Sequence, residues 1–499
     1  MLAWPIYLTF AGVALLWLLP RDNARLARSC ALLTALAGLA AGMLGAVAYS
    51  PGELVTLTRT NWVPQLGIQY FLAADGISVT LVVLTGLAAV AGILFSWNIG
   101  HRTNEFFALY LALIGGVYGV FLSFDLFLLF VFYEIAIIPK YFLIAIWGST
   151  RREYGAMKLA LYSFAGSALV LIGMIAAYVV AGQVTGTYSF DLTFLSTVAF
   201  PETFQRWAFP LVFVGFAVLA GLWPFHTWAP TGHVAAPTGA SMLLAGVVMK
   251  LGAYGALRVA IVLFPLGLKM WQMPVAILAT IGIVYGALVA LVQKDFKFVI
   301  GYSSVSHMGF VLLGMVTMNQ IGLSGAVLQM FSHGIIAGLL FAVVGRMVYD
   351  RTHTRQLAEL ATMDLSRALP FATVTFVVAA VASMGLPGFS GFVAELSVLI
   401  GAWEAFPPLA LLAGAGIVVG VAFSLRALQA GFFADRHPES PPDATAAPPF
   451  EPITIPERLG AALLIGTSLV IGLYPRLLLD VIMPSVAVLL EGLRKGGAS

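Results

Sequence analysis

The sequence predicts an all-α, polytopic membrane protein of about 14 transmembrane helices. Three observations lead there. Of 499 residues, 61% are hydrophobic and 9% charged, and the mean hydropathy is +0.98, which leaves too little polar surface to coat a soluble globule. Apolar runs of about 20 residues, the length that crosses a bilayer, recur along the whole chain. The alternating pattern of a membrane barrel is absent, and backbone groups in lipid must be satisfied within their own segment, so these runs read as helices.

The first run, near 3 to 20, opens on MLAWPIYLTF and lacks the basic region and cleavage site of a removed signal, so it is expected to be a span. The second, near 27 to 48, holds Cys30, the lone cysteine, so no disulfide framework, zinc site or cysteine-held iron–sulfur centre is expected. Further runs fall near 75 to 98, 105 to 123, 125 to 148, 155 to 181, 207 to 229, 239 to 264, 272 to 293, 299 to 318, 321 to 349, 370 to 401, 407 to 433 and 457 to 482. Lysine and arginine set their orientation. The odd-numbered connections hold Arg21, Arg25, Arg28, Arg102, Arg151, Arg152, Lys294, Lys297, Arg351, Arg355 and Arg436; the even ones hold little beyond Arg59, Arg206 and Lys269. The odd loops are therefore expected in the cytoplasm and both termini outside. Two longer hydrophilic stretches remain, Ser50 to Ala74 outside and the proline-rich Asp435 to Pro456 inside, the latter read as a flexible connector. The net charge of +3, spread through short loops, offers no nucleic-acid surface.

Two spans are interrupted by proline and glycine, the seventh in Gly221-Leu-Trp-Pro-Phe-His-Thr-Trp-Ala-Pro230 and the twelfth in Met384-Gly-Leu-Pro-Gly-Phe-Ser-Gly. Broken helices in corresponding positions of two halves point to inverted repeats with an ion site at the break; prolines that merely kink packed helices are the alternative. On the first reading, spans 4 to 8 and 9 to 13 form two inverted five-helix repeats with discontinuous helices 7 and 12. The chain then divides into residues 1–104 (spans 1 to 3), 105–264 (first repeat), 265–433 (second repeat) and 434–499 (connector, span 14 and tail).

Charged groups at membrane depth cost about 2.5 to 3.5 kcal/mol each on insertion scales and mark ion or proton paths. The fifth span carries Glu134 and Lys140 with Pro139 beside the lysine. His226, His233, Lys250, Lys294, Lys297, His307, His333 and Glu395 lie within or at the edges of later spans. One such residue could be a packed neutral group. A series through consecutive helices suggests a proton relay.

The segments FYEIAIIPKYFLIAIWG (132 to 148), PFHTWAPTGHVAAPTGAS (224 to 241), VVMKLGAYGALR (247 to 258), QKDFKFVIGYSSVSHMGFVLLG (293 to 314), FSHGIIAGLLFAVVGRMVYDRTHTR (331 to 355) and SMGLPGFSGFVAE (383 to 395) resemble the antiporter-like membrane subunits of respiratory complex I, most of all the subunit 4 or M type. The likeness runs from the fourth to the thirteenth span; the chain stops soon after the fourteenth, without the long lateral helix of the subunit 5 type. The resemblance implies a proton channel in a bacterial-type inner membrane, driven by quinone reduction elsewhere. It implies no cofactor in this chain, with NADH, FMN, iron–sulfur clusters and quinone held by partner subunits, and neighbouring membrane-arm subunits and lipids as partners. It places the fifth-span glutamate at Glu134, the central lysine at Lys250, the twelfth-span acid at Glu395 and connecting histidines at His307 and His333. Asp295 and Lys297 match a loop where a structural and an inlet role are both open.

The seventh span departs from the family pattern: Leu219 stands where the resemblance expects a lysine to partner Glu134, and Thr231 and Ala235 replace acidic residues. Lys140 stands where an apolar residue is usual, so the cation is expected to have moved to the fifth span. Six residues amount to about 9 Å of rise and roughly 240° of rotation, which puts Glu134 and Lys140 on different faces unless Pro139 bends the helix. Other readings of the same motifs are a subunit of a multisubunit sodium/proton antiporter, of a membrane-bound hydrogenase or of a bicarbonate-uptake system, and a scaffold that has lost transport.

Overall fold

The computed structural model describes residues 1–434 and 450–496. The chain is mostly helical: α1 (Trp4–Leu18), α2 (Ala24–Val47), α3 (Gly76–Phe95), α4 (Thr103–Leu122), α5 (Leu126–Trp147), α6 (Arg152–Thr185), α7 (Glu202–Ala220), α8 (Trp228–Ala235), α9 (Thr238–Ile261), α10 (Pro265–Val292), α11 (Phe296–Val316), α12 (Gln320–Thr352), α13 (Pro370–Ser383), α14 (Ser390–Ala405), α15 (Pro407–Phe432), α16 (Ile455–Leu473) and α17 (Arg476–Gly496). Among the described residues, 12 helical segments are long and apolar enough to cross a membrane, α7 and α8 counting as one, and α1 and α13 are shorter apolar helices. The connector expected over Asp435 to Pro456 lies, up to position 449, outside the described residues.

Burial sorts the helices. α9 and α12 are enclosed along their apolar windows and α3 nearly so, whereas α2, α6, α15 and α16 turn most of theirs outward. Exposed Leu33, Leu161, Ile172, Leu411 and Val418 make a large apolar exterior, as lipid contact demands. Of the enclosed helices, α9 carries Lys250 and α12 carries His333 in its interior, while α3 has no charged residue.

Both proline–glycine stretches break their helices. α7 ends at Gly221, whose φ of +85° suits glycine, and the indole of Trp228 donates back across the break to the Val218 carbonyl at 2.8 Å. α13 ends at Ser383, and Gly385 and Gly388 take φ of +73° and +103° before α14 begins.

Three features differ from the sequence expectation. The stretch from Ser50 to Ala74 contains an antiparallel hairpin, β1 (Val55–Val63) with β2 (Ile68–Ala74), rather than plain loop. The last run does not continue to 482: α16 stops at Leu473 and a separate amphipathic helix, α17, follows, its polar stripe too wide to register as a span. Inside α9 the turns Leu244–Val248 and Ala256–Ile261 are π-helical, as is Val343–Tyr349 in α12, a local widening that hydropathy does not report.

Asp125 caps α5, accepting from the Leu128 amide at 2.9 Å, and accepts from the Gln69 amide of β2 at 3.0 Å. Burial pushes its carboxyl up to about 6 against the pull of those amides. The folded value exceeds the ordinary one near 3.9, so the burial penalty is felt above about pH 6 and relieved as the pH falls toward 4. Asp125→Ala should cost about 1 kcal/mol in unfolding measurements, whereas Asp125→Asn, a good cap without the charge, should cost little at pH 7.

Candidate proton-relay site

Lys250 sits mid-helix in α9, fully buried, between the two π-helical turns. Its ammonium donates to the carbonyl of Ala245, in the first widened turn, and meets His333 Nδ1 of α12 at 2.7 Å. A lysine donor at Nδ1 leaves the His333 proton on Nε2, which has no protein partner. The His333 and His307 rings lie 5.5 Å apart between centroids. His307 of α11 then spans two groups, with Nδ1 at 2.9 Å from Glu395 Oε1 and Nε2 at 3.2 Å from Ser383 Oγ. Glu395 Oε1 also accepts from Gln329 at 3.3 Å.

Glu395 is thus held at the second helix break. A Cβ on Gly385 would stand 3.0 Å from Glu395 Oε2, so the break brings bare backbone against the carboxylate. A cavity of about 10 Å³, room for about one water, is lined by Ser303, Ser304, His307, His333, Ser383 and Glu395. Three buried ionisable groups, Lys250, His333 and Glu395, and the partly buried His307 therefore form one row from α9, α12, α11 and α14, with hydrogen-bonding gaps of the size protons cross through hydroxyls and water.

The remaining sequence candidates fall elsewhere. Lys297 is buried in the first turn of α11, 3.4 Å from the Ala236 carbonyl and over the Tyr349 ring, beside a cavity of about 180 Å³ that Asp350 and Ser149 also line. Asp295 caps α11 through the Lys297 amide at 2.8 Å and pairs with Arg355 at 3.2 Å. Lys294, expected at a span edge as a secondary relay group, is exposed, and its position contributes a backbone carbonyl to Leu357. His233 is buried with its ring stacked on Phe341, and His226 lies edge-on to Tyr285; neither ring nitrogen of either histidine has a protein partner.

Glu134 and Lys140 are not ion-paired. Lys140 Nζ is buried without a hydrogen-bond partner and Glu134 Oε1 likewise, so the expected switch within one helix is not closed in this structure. Pro139 does not bring them together. Lys140 follows Tyr133 by one heptad, about 20° off the same face, and the Tyr133 ring meets Phe216 of α7 edge-on at 5.5 Å. The pairing reading overlooked Gln329 and Ser383. Gln329 precedes His333 by one turn, a spacing that could have flagged it.

The profile of the family described as "NADH:quinone oxidoreductase/Mrp antiporter, TM" matches residues 123–421. The chain belongs to this family. It is 39% identical over 433 residues to NADH-quinone oxidoreductase subunit M of Rhodobacter capsulatus, covering 85% of this chain and 83% of that one. It is 37% identical over 500 residues to subunit M of Pseudomonas aeruginosa, covering 96% and 95%. A chain of respiratory complex I from Thermus thermophilus with bound NADH superposes with a TM-score of 0.86 at 28% identity, covering 98% of this chain and all of that one. The match to the NADH:quinone oxidoreductase/Mrp antiporter family spans α5 through α14, the helices that supply every group of the Lys250–Glu395 row.

Proposed function

We propose that this chain is a proton-translocating membrane subunit of an NADH:quinone oxidoreductase, assembled with other membrane-arm subunits in a bacterial inner membrane. The observation that carries the reading is the row Lys250, His333, His307, Glu395, closed by contacts of 2.7 and 2.9 Å at its two ends. NADH, flavin, iron–sulfur clusters and quinone belong to partner subunits on this reading, and this chain moves only protons. The basic loops, including Arg151, Arg152 and Arg355, face the cytoplasm.

The mechanism is electrostatic. Two unit charges about 4 Å apart interact by about 4 kcal/mol at an effective dielectric near 20, so gain or loss of one proton at Lys250 shifts the next site by several factors of ten. A proton on Lys250 passes to His333 Nδ1, the proton on Nε2 moves on through the small cavity to His307, and His307 delivers to Glu395. Reset of Lys250 comes from the Lys297 side, with buried His233 between. Glu134 and Lys140, both on α5 and without a hydrogen bond between them, bias the Lys250 proton through their own charge state.

The fifth-span pair gives a test. Lys140→Leu should lower proton pumping by reconstituted complex about as much as Glu134→Gln; near-normal pumping would show that the lysine only fills space. Pumping that requires sodium ions would instead favour the antiporter reading.

A further inference from the structure

We propose that Tyr254, Arg258 and Asp75 form an outer gate that keeps Lys250 from equilibrating with the solution beyond the end of α9. The inference rests on the proton-relay reading for its purpose, and on geometry alone for its place. Lys250, Tyr254 and Arg258 recur every fourth residue on α9, so Tyr254 stands about 6 Å beyond the lysine, and Arg258, in the second π-helical turn, follows it within hydrogen-bond reach of the Tyr254 hydroxyl. Tyr254 and Arg258 are the buried polar side chains of α9 between Lys250 and its C-terminal end.

Each group in this column is tied. The Tyr254 hydroxyl donates to the Phe121 carbonyl at 2.9 Å, lies 3.0 Å from Ser78 Oγ and accepts from Arg258 Nε at 3.3 Å. Arg258 Nη2 meets Asp75 Oδ2 at 2.6 Å, and its guanidinium lies over the rings of Phe124 and Tyr254. Asp75 uses its other oxygen to cap α3 through the Ser78 amide at 2.9 Å. The Tyr254 proton is committed to a backbone carbonyl, which cannot hand it on, and the guanidinium offers donors and no acceptor, so a proton chain breaks here while these bonds hold.

Beyond the pair the packing opens. A cavity of about 340 Å³ is lined by Asp75, Arg258, Glu53, Val262, Leu489 and Leu493. The amphipathic α17 forms one wall, anchored where Ser485 Oγ accepts from the Gly76 amide at 2.8 Å, next to the capping aspartate. Room for water therefore reaches Arg258 from outside and stops there. A guanidinium keeps its charge at any working pH and repels an excess proton, while Asp75 compensates it enough to allow burial. A buried ion pair serving stability alone would not need to stand between a water-sized space and a proton site.

The experiment measures passive proton conductance of liposomes containing the whole complex, idle without NADH. Arg258→Met should raise the leak several-fold, Arg258→Lys should keep it near wild type, and Tyr254→Phe should raise it less. An unchanged leak in assembled Arg258→Met complex overturns the gate. Independently, a membrane-impermeant maleimide should label Val262→Cys from the outer side at a rate that Arg258→Met leaves unchanged. Absence of label, or label from the cytoplasmic side only, overturns the outward cavity even if the arginine variants fail to assemble. Wild-type complex that does not pump would refute the relay, not the gate.

Discussion

Lys250→Met should remove proton transfer through this chain while leaving its fold in place. Methionine matches the length of the lysine stem, and replacing a buried ammonium by an apolar group of similar volume is often neutral or stabilising, so the change should cost less than about 1.5 kcal/mol. The two groups it abandons differ in consequence. The Ala245 carbonyl sits in a widened turn that can satisfy it from the backbone, but His333 Nδ1 loses its donor and with it the tautomer that directs the next proton toward His307. Electron transfer, carried out in other subunits, should persist at a rate set by how tightly it is coupled to pumping.

Glu395→Gln should have the second-largest effect. The carboxylate fixes His307 through Oε1 and is itself held by Gln329. Glutamine keeps the volume and an acceptor oxygen, so the broken helix should still pack, yet it cannot take up the proton His307 delivers. Pumping should fall several-fold with little change in thermal stability. Glu395→Asp should recover part of it, because the acid returns about one methylene short; a purely structural glutamate would behave in the opposite order, glutamine being the milder change.

Much of this was legible in the sequence, and the reasons are specific. Glu134, Lys140, Lys250 and Glu395 stand out because charge in an apolar run is costly, and both breaks follow from proline and left-handed glycine. What the sequence hides is contact. Lys250 and His333 are 83 positions apart, and His307 and Glu395 are 88 apart, so only the packing of α9, α11, α12 and α14 makes them neighbours. Lys294 and Lys297 look alike in QKDFK; the Asp295 cap starts the helix between them, leaving one exposed and one buried. Leu219 invited the idea that Lys140 had taken over as the partner of Glu134. The structure buries the lysine without a partner and leaves the two charges unpaired, because six residues along a helix separate them in height and in face. The hairpin and α17 escaped because a search for spans reads hydropathy, and both elements carry their information in alternation or in one-sidedness.

The most direct measurement is the proton-to-electron ratio of the reconstituted complex carrying Lys250→Met, compared with wild type at equal electron flux. The account predicts a lower ratio, by the share this chain carries, with the complex fully assembled. An unchanged ratio would mean that protons do not pass through Lys250, and would contradict it.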